Sequence, residues 1–125
     1  MNKIVGIDLG TTNSAIAHVE EGDPTIIPDL NGNRVTPSVV NISEDDTRIV
    51  GQAAKNLEVQ KPNRTVSSIK REIGEDYKVE IDGSDYTPEE ISSYIIDNLV
   101  TASERRIDEE IQKAVITVPA YFNDK

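Results

Sequence analysis

The sequence predicts an α/β domain, and three observations carry that reading. Ile4, Val5 and Ile7 make a short apolar run of the kind found in strands covered on both faces, and Ala114 to Val118 (AVITV) make a second. Thr87-Pro88-Glu89-Glu90 opens a long helix: Thr as N-cap, Pro at N1 and Glu at N3 form a capping box. Between Asp8 and Ser14 (DLGTTNS), an acid, a glycine and two threonines turn the first strand into another, which starts with Ala15, Ile16, Ala17 and Val19.

The elements follow in order. Thr25, Ile26 and Ile27 suggest a third strand, and Asp29 to Arg34 (DLNGNR) is a turn rich in Asn and Gly. Val39, Val40 and Ile42 form the next strand; Pro37 has no N–H to give, so pairing is expected to begin only beyond it. Ile49-Val50 is a short strand, Gln52 to Val59 has helical composition, and Lys61-Pro62-Asn63 stops it. Thr65 is placed to cap a short helix, Val66 to Ile73, ended by Gly74, whose Val66, Ile69 and Ile73 share an inward face. Lys70 borders that stripe. Such a lysine ordinarily snorkels to solvent; the other reading sets its ammonium at the mouth of a cleft.

Val79-Glu80-Ile81 and Tyr86 flank Asp82-Gly83, a hairpin signal. In the helix after Thr87, Ile91, Tyr94, Ile95, Leu99 and Ala102 form a buried stripe, with Glu89, Asp97 and Arg105 facing water, and the helix should run to about Glu109. Lys113 introduces the last strand and Pro119 ends it.

Composition narrows the function. The 125 residues carry 23 acidic and 13 basic side chains, net −10, which opposes binding to nucleic acid or an anionic membrane through a general basic surface. There is no cysteine, so thiol catalysis and Cys-type zinc sites are excluded, and His18, the one histidine, has no second ligand candidate nearby. No signal core or membrane-length apolar run is present, and the expectation is a soluble protein of a reducing compartment, the cytoplasm.

The turn at Gly10 suits phosphate. The backbone N–H groups of Gly10 to Asn13 leave the strand ladder there, and successive unpaired amides form a small anion-binding nest, to which Thr11 and Thr12 add hydroxyl donors. Asp8 repels phosphate directly, so its role would be to hold Mg²⁺ through water. Neither GxxxxGK[ST] nor GxGxxG occurs. On spacing alone, an ordinary hairpin that happens to contain Gly and Thr fits equally well.

Four segments taken in order resemble the amino-terminal part of the 70-kilodalton heat-shock chaperone family, the DnaK type: Gly6 to Ser14 (GIDLGTTNS), Gly32 to Val40 (GNRVTPSVV), Ser68 to Gly74 (SIKREIG) and Val115 to Asp124 (VITVPAYFND). The first alone is shared in related form by sugar kinases and actin-like ATPases; the four together are specific. The resemblance implies part of an actin-like, ribonuclease H-like ATPase fold, with a mixed β-sheet and flanking helices, this chain being most of lobe I of the nucleotide-binding domain. Residues 1–37 and 112–125 resemble part of the base subdomain and residues 38–111 the smaller upper subdomain.

The resemblance also implies roles. Asp8 would sit in the Mg²⁺ water shell, Gly10, Thr11, Thr12 and Asn13 would cradle the phosphates of ATP or ADP, and Lys70 would be the catalytic lysine. Pro119, Tyr121, Asn123 and Asp124 match the segment that relays nucleotide state to the substrate domain. The full-length protein would be a heat-shock ATPase that binds and releases unfolded polypeptides with a J-domain co-chaperone and a nucleotide exchange factor. The family's second phosphate loop, further metal carboxylates, adenosine pocket and peptide-binding domain are not in these 125 residues. An amino-terminal fragment inactive by itself is therefore expected, one that self-associates through uncovered sheet surface. The alternatives are a fragment of an actin-like-fold sugar kinase and a non-catalytic interaction domain docking through the long helix.

Overall fold

The computed structural model describes residues 3–20, 23–67 and 78–117. The chain runs through β1 (Lys3–Leu9), β2 (Asn13–Glu20), β3 (Asp23–Ile26), β4 (Thr36–Pro37), β5 (Val39–Ile42), β6 (Arg48–Val50) and α1 (Gln52–Leu57). A 3₁₀ turn at Pro62–Arg64 leads into β7 (Thr65–Ser67), followed by β8 (Val79–Ile81), β9 (Ser84–Tyr86), α2 (Pro88–Ile107) and β10 (Ile111–Thr117).

Among the described residues the strands form three sheets. In the first, the order is β10-β1-β2-β3, with the short β4 also on β2. β2 folds back antiparallel on β1, with Asp8 opposite Ala15, whereas β10 lies parallel to β1, with Asp8 opposite Thr117. The sheet is therefore mixed, and β1 and β10 finish at the same edge as the β1–β2 turn. The second sheet has the order β6-β5-β7, and β8 and β9 form a separate hairpin. Asp82 and Gly83 turn that hairpin with φ of 56° and 79°, the left-handed pair a two-residue connection needs.

The helix α2 binds the layers together. The Thr87 N–H donates to the Glu90 carboxylate at 3.0 Å and the Glu90 N–H to the Thr87 hydroxyl at 3.1 Å, so the capping box closes both ways. Ile91, Ile95 and Leu99, one turn apart, are buried and join Val5, Ile7, Leu9 and Ile16 of the first sheet and Val40 and Ile42 of the second in one core. Each such side chain contributes about 1.5–3 kcal/mol. Asp108, with φ 55°, ends the helix, its N–H on the Glu104 carbonyl. Glu89, Asp97 and Arg105 are exposed, as the spacing predicts. Elsewhere, the Arg48 guanidinium sits 4.4 Å from the centre of the Tyr94 ring, and Arg64 donates to the Ile42 carbonyl at 2.9 Å and to both Asp82 oxygens at 2.6 Å.

Four sequence expectations are corrected. The helix predicted from Val66 does not start there: Thr65 to Ser67 form β7, with Val66 opposite Val40, and the buried β-branched pair outweighs the local capping signal. The Thr65 hydroxyl instead donates to the Lys61 carbonyl at 2.8 Å. Second, pairing starts at Thr36 and Pro37, on β2, before Pro37 is passed. The Ser38 N–H donates to the Thr12 carbonyl at 2.9 Å, so the bond flanks the proline and its missing N–H is not needed.

Third, β1 is covered on one face only. Val5, Ile7 and Leu9 are buried under α2, while Ile4 is 48% exposed and Asp8 is exposed on the opposite face. Fourth, β10 begins at Ile111 and is exposed along most of its length, Val115 at 61% and Ile116 at 40%. The causes differ: α2 packs against one side of the sheet at β1 and β2 and no other described element covers the second side of β1, whereas β10, at the sheet edge beyond β1, is exposed on both faces, Ile116 included although it stands beside the buried Ile7. The expected helix at 66–73, with Ile69, Lys70 and Ile73, lies outside the described residues from Ser68 on. Among the described residues, no helix is long and apolar enough to cross a membrane.

Candidate functional site

The site grows from the β1–β2 turn. β1 carries alternate apolar residues into the core up to Leu9, and β2 resumes at Asn13, leaving Gly10, Thr11 and Thr12 to reverse the chain. The turn closes tightly on Gly10. A Cβ at that position would land on the Asn13 carbonyl oxygen and 3.3 Å from its carbon, so the close approach itself demands glycine. Gly10 and Thr11 are half-buried, and Thr12 and Asn13 are exposed. The N–H groups of Thr11 and Thr12 have no acceptor among the described residues.

A buried hydroxyl chain holds the turn from behind. The Ser38 hydroxyl donates to the Gly10 carbonyl at 2.8 Å and lies 2.8 Å from the Ser14 hydroxyl. The carbonyl can only accept, so Ser38 spends its one proton there and Ser14 must donate to Ser38. Both serines are almost wholly buried, Ser14 at 1% and Ser38 at 4% exposure. Each bond contributes about 0.5–1.5 kcal/mol net, and a chain of them polarises cooperatively. With the Ser38 N–H on the Thr12 carbonyl, Ser38 grips both sides of Thr11.

These serines were not among the residues singled out from the sequence. A signal was present: β2 alternates, so Ser14 falls on the core-facing side with Ile16, and a serine there must find a partner. Its partner lies 24 residues away.

Asp8 projects from the opposite face of β1, exposed, two residues before the turn. The described residues contain no group of three or more His, Cys, Asp or Glu able to enclose a metal. A single exposed carboxylate suits a hydrated cation held through water and not a closed protein cage. Beside the turn, an open groove of about 610 Å³ reaches from Asn13 past Arg34 and Lys55. Its one carboxylate, Asp29, accepts from the Asn31 and Asn33 N–H groups at 2.9 and 2.8 Å.

The structure thus brings Asp8, Gly10, Thr11, Thr12 and Asn13 together on one hairpin. Lys70, Pro119, Tyr121, Asn123 and Asp124 lie outside the described residues. The hairpin tip sits at the carboxyl end of two parallel strands, where open α/β sheets bind ligands. Glycine-closed backbone with unclaimed amides binds oxyanions. Against known families, the model of the family described as Hsp70 protein matches residues 4–82 and 76–125.

Proposed function

This chain belongs to the Hsp70 protein family, a family of ATP-binding chaperones, and on that premise we propose that it is the amino-terminal part of a DnaK-type chaperone whose β1–β2 turn holds the terminal phosphates of ATP or ADP. The observation that carries this reading is the hairpin tip: a turn only glycine can make, with Thr11 and Thr12 amides that have no acceptor among the described residues, stapled from behind by buried serines. Those amides and the threonine hydroxyls donate to phosphate oxygens. Asp8 holds Mg²⁺ through water, and the ion when bound neutralises charge on the same oxygens. Lys70 orients the terminal phosphate and steadies charge that spreads over it, a role resting on the sequence resemblance alone.

The proposed layout places residues 1–37 and 112–125 in a base subdomain and 38–111 in an upper one, the change of sheet at Ser38 supporting that division. Pro119, Tyr121, Asn123 and Asp124 belong to the relay toward a peptide-binding domain, with unfolded polypeptides, a J-domain co-chaperone and a nucleotide exchange factor as partners of the whole protein. Phosphoryl transfer needs positioning from every side of the nucleotide, so these 125 residues bind ATP weakly and turn it over poorly. Two measurements test this. Calorimetric titration of the chain with Mg·ATP should give an affinity weaker than micromolar. In the full-length protein, Lys70→Ala should abolish ATP turnover; unchanged turnover would refute the assignment.

A further inference from the structure

We propose that Ser38 is a positioning residue: it fixes the direction in which the hairpin tip presents its amides and ties that direction to the second sheet. Its function rests on the phosphate reading above; its geometry does not. Ser38 is the single residue between β4 and β5, which belong to different sheets. From that joint its hydroxyl donates to the Gly10 carbonyl at 2.8 Å and its N–H to the Thr12 carbonyl at 2.9 Å.

A planar trans peptide sets its C=O and N–H on opposite sides. The Gly10 carbonyl shares its peptide unit with the Thr11 N–H, and the Thr12 carbonyl shares its unit with the Asn13 N–H. Drawing both carbonyls onto Ser38 therefore turns both N–H groups away from it: that of Thr11, a tip amide with no acceptor among the described residues, and that of Asn13, the first residue of β2, leave on the side opposite the serine. One buried residue thus orients two amides. Because the backbone of Ser38 continues into β5, whose Val39 and Val40 pair with Ser67 and Val66 of β7, a shift of the second sheet reaches the tip through two hydrogen bonds.

Ser38→Ala removes one of the two bonds without changing the buried volume appreciably, and Ser14→Ala removes only the donor behind it. Residual dipolar couplings of the Thr11 and Asn13 N–H vectors in the ligand-free chain read the direction itself. Ser38→Ala should rotate the Thr11 vector while those of β1 and α2 stay unchanged, Ser14→Ala should move it the same way by less, and Ser38→Thr, which keeps the hydroxyl, should restore it. Titration with Mg·ADP, followed at the tip amides, should show affinity about five- to tenfold weaker in Ser38→Ala and about two- to threefold weaker in Ser14→Ala, the range one or a fraction of one hydrogen bond commands. Unchanged couplings in Ser38→Ala would overturn the proposal. If Ser38→Ala does not fold, an unmoved tip in a folded Ser14→Ala would overturn it equally. Couplings that move while Mg·ADP leaves the wild-type tip untouched would uphold the staple and refute the phosphate reading.

Discussion

Gly10→Ala is the substitution for which the structure sets the clearest magnitude. The new methyl would fall on the Asn13 carbonyl oxygen, well inside the 3.0 Å that Cβ atoms essentially never cross. Neither neighbour can retreat cheaply: Asn13 opens β2, and the Gly10 carbonyl is held by Ser38. Forcing backbone apart at such a point costs about 1–3 kcal/mol, and losing the Ser38 bond costs about 1 kcal/mol more. For a chain of 125 residues, an unfolding entropy near 2.1 cal/mol/K per residue makes 1 kcal/mol equal to about 4 °C. The melting temperature, followed by circular dichroism, should therefore fall by roughly 8–15 °C. Gly83→Ala supplies the control. Gly83 has φ 79° and open space around it, so alanine there meets only the left-handed backbone cost of about 1–2 kcal/mol. A Gly10→Ala protein melting within about 3 °C of wild type, or above Gly83→Ala, would refute the argument that the turn is closed by contact.

Further outcomes follow from the rest of the fold. Leu99→Ala leaves a cavity between α2 and the sheets and should cost about 2–5 kcal/mol, read as a lower urea midpoint. Thr87→Ala opens the capping box and should cost about 1 kcal/mol with the urea m-value unchanged. Burial pushes the Asp29 carboxyl up, but hydrogen bonds from the Asn33 backbone and side chain and the Asn31 backbone outweigh it and hold the group below its ordinary 3.8. Its contribution is therefore complete above about pH 4 and lost as pH falls through the lower folded value, so Asp29→Asn should flatten the acid limb of the stability curve. Val115→Lys, at a position 61% exposed, should change stability by less than about 0.5 kcal/mol. The same change should convert any self-associated species to monomer in sedimentation, if the bare β10 edge drives association.

Local chemistry made the capping box at Thr87, the Asp82-Gly83 hairpin and the Ile91, Ile95, Leu99 stripe legible, because each is decided within a few residues. Thr65 shows where that stops. Thr65 followed by Val66 reads as a helix start, yet Val66 pairs with Val40, 26 positions earlier in the chain, and a strand forms. The apolar runs in β1 and β10 identified strands, but the two-sided cover read from them is not there: α2 covers one face of β1, and β10, at the sheet edge, is exposed on both. Gly10 stood out as a turn residue, whereas its grip by Ser38 joins positions 28 apart and has no local signature. Val66 is in a strand, so the stripe that Lys70 is expected to border loses its first member, and the cleft role proposed for Lys70 rests on the resemblance of Ser68 to Gly74 to the family segment.

Whether the hairpin tip is where a nucleotide's phosphates and metal gather is tested most directly by titrating the ¹⁵N-labelled chain with Mn²⁺·ADP and mapping paramagnetic broadening. The amide signals of Asp8 to Asn13 should broaden first. Broadening confined to the acidic surface at Glu104, Asp108, Glu109 and Glu110, or to the groove beside Arg34 and Lys55, with the Thr11 and Thr12 signals left sharp, would contradict the account.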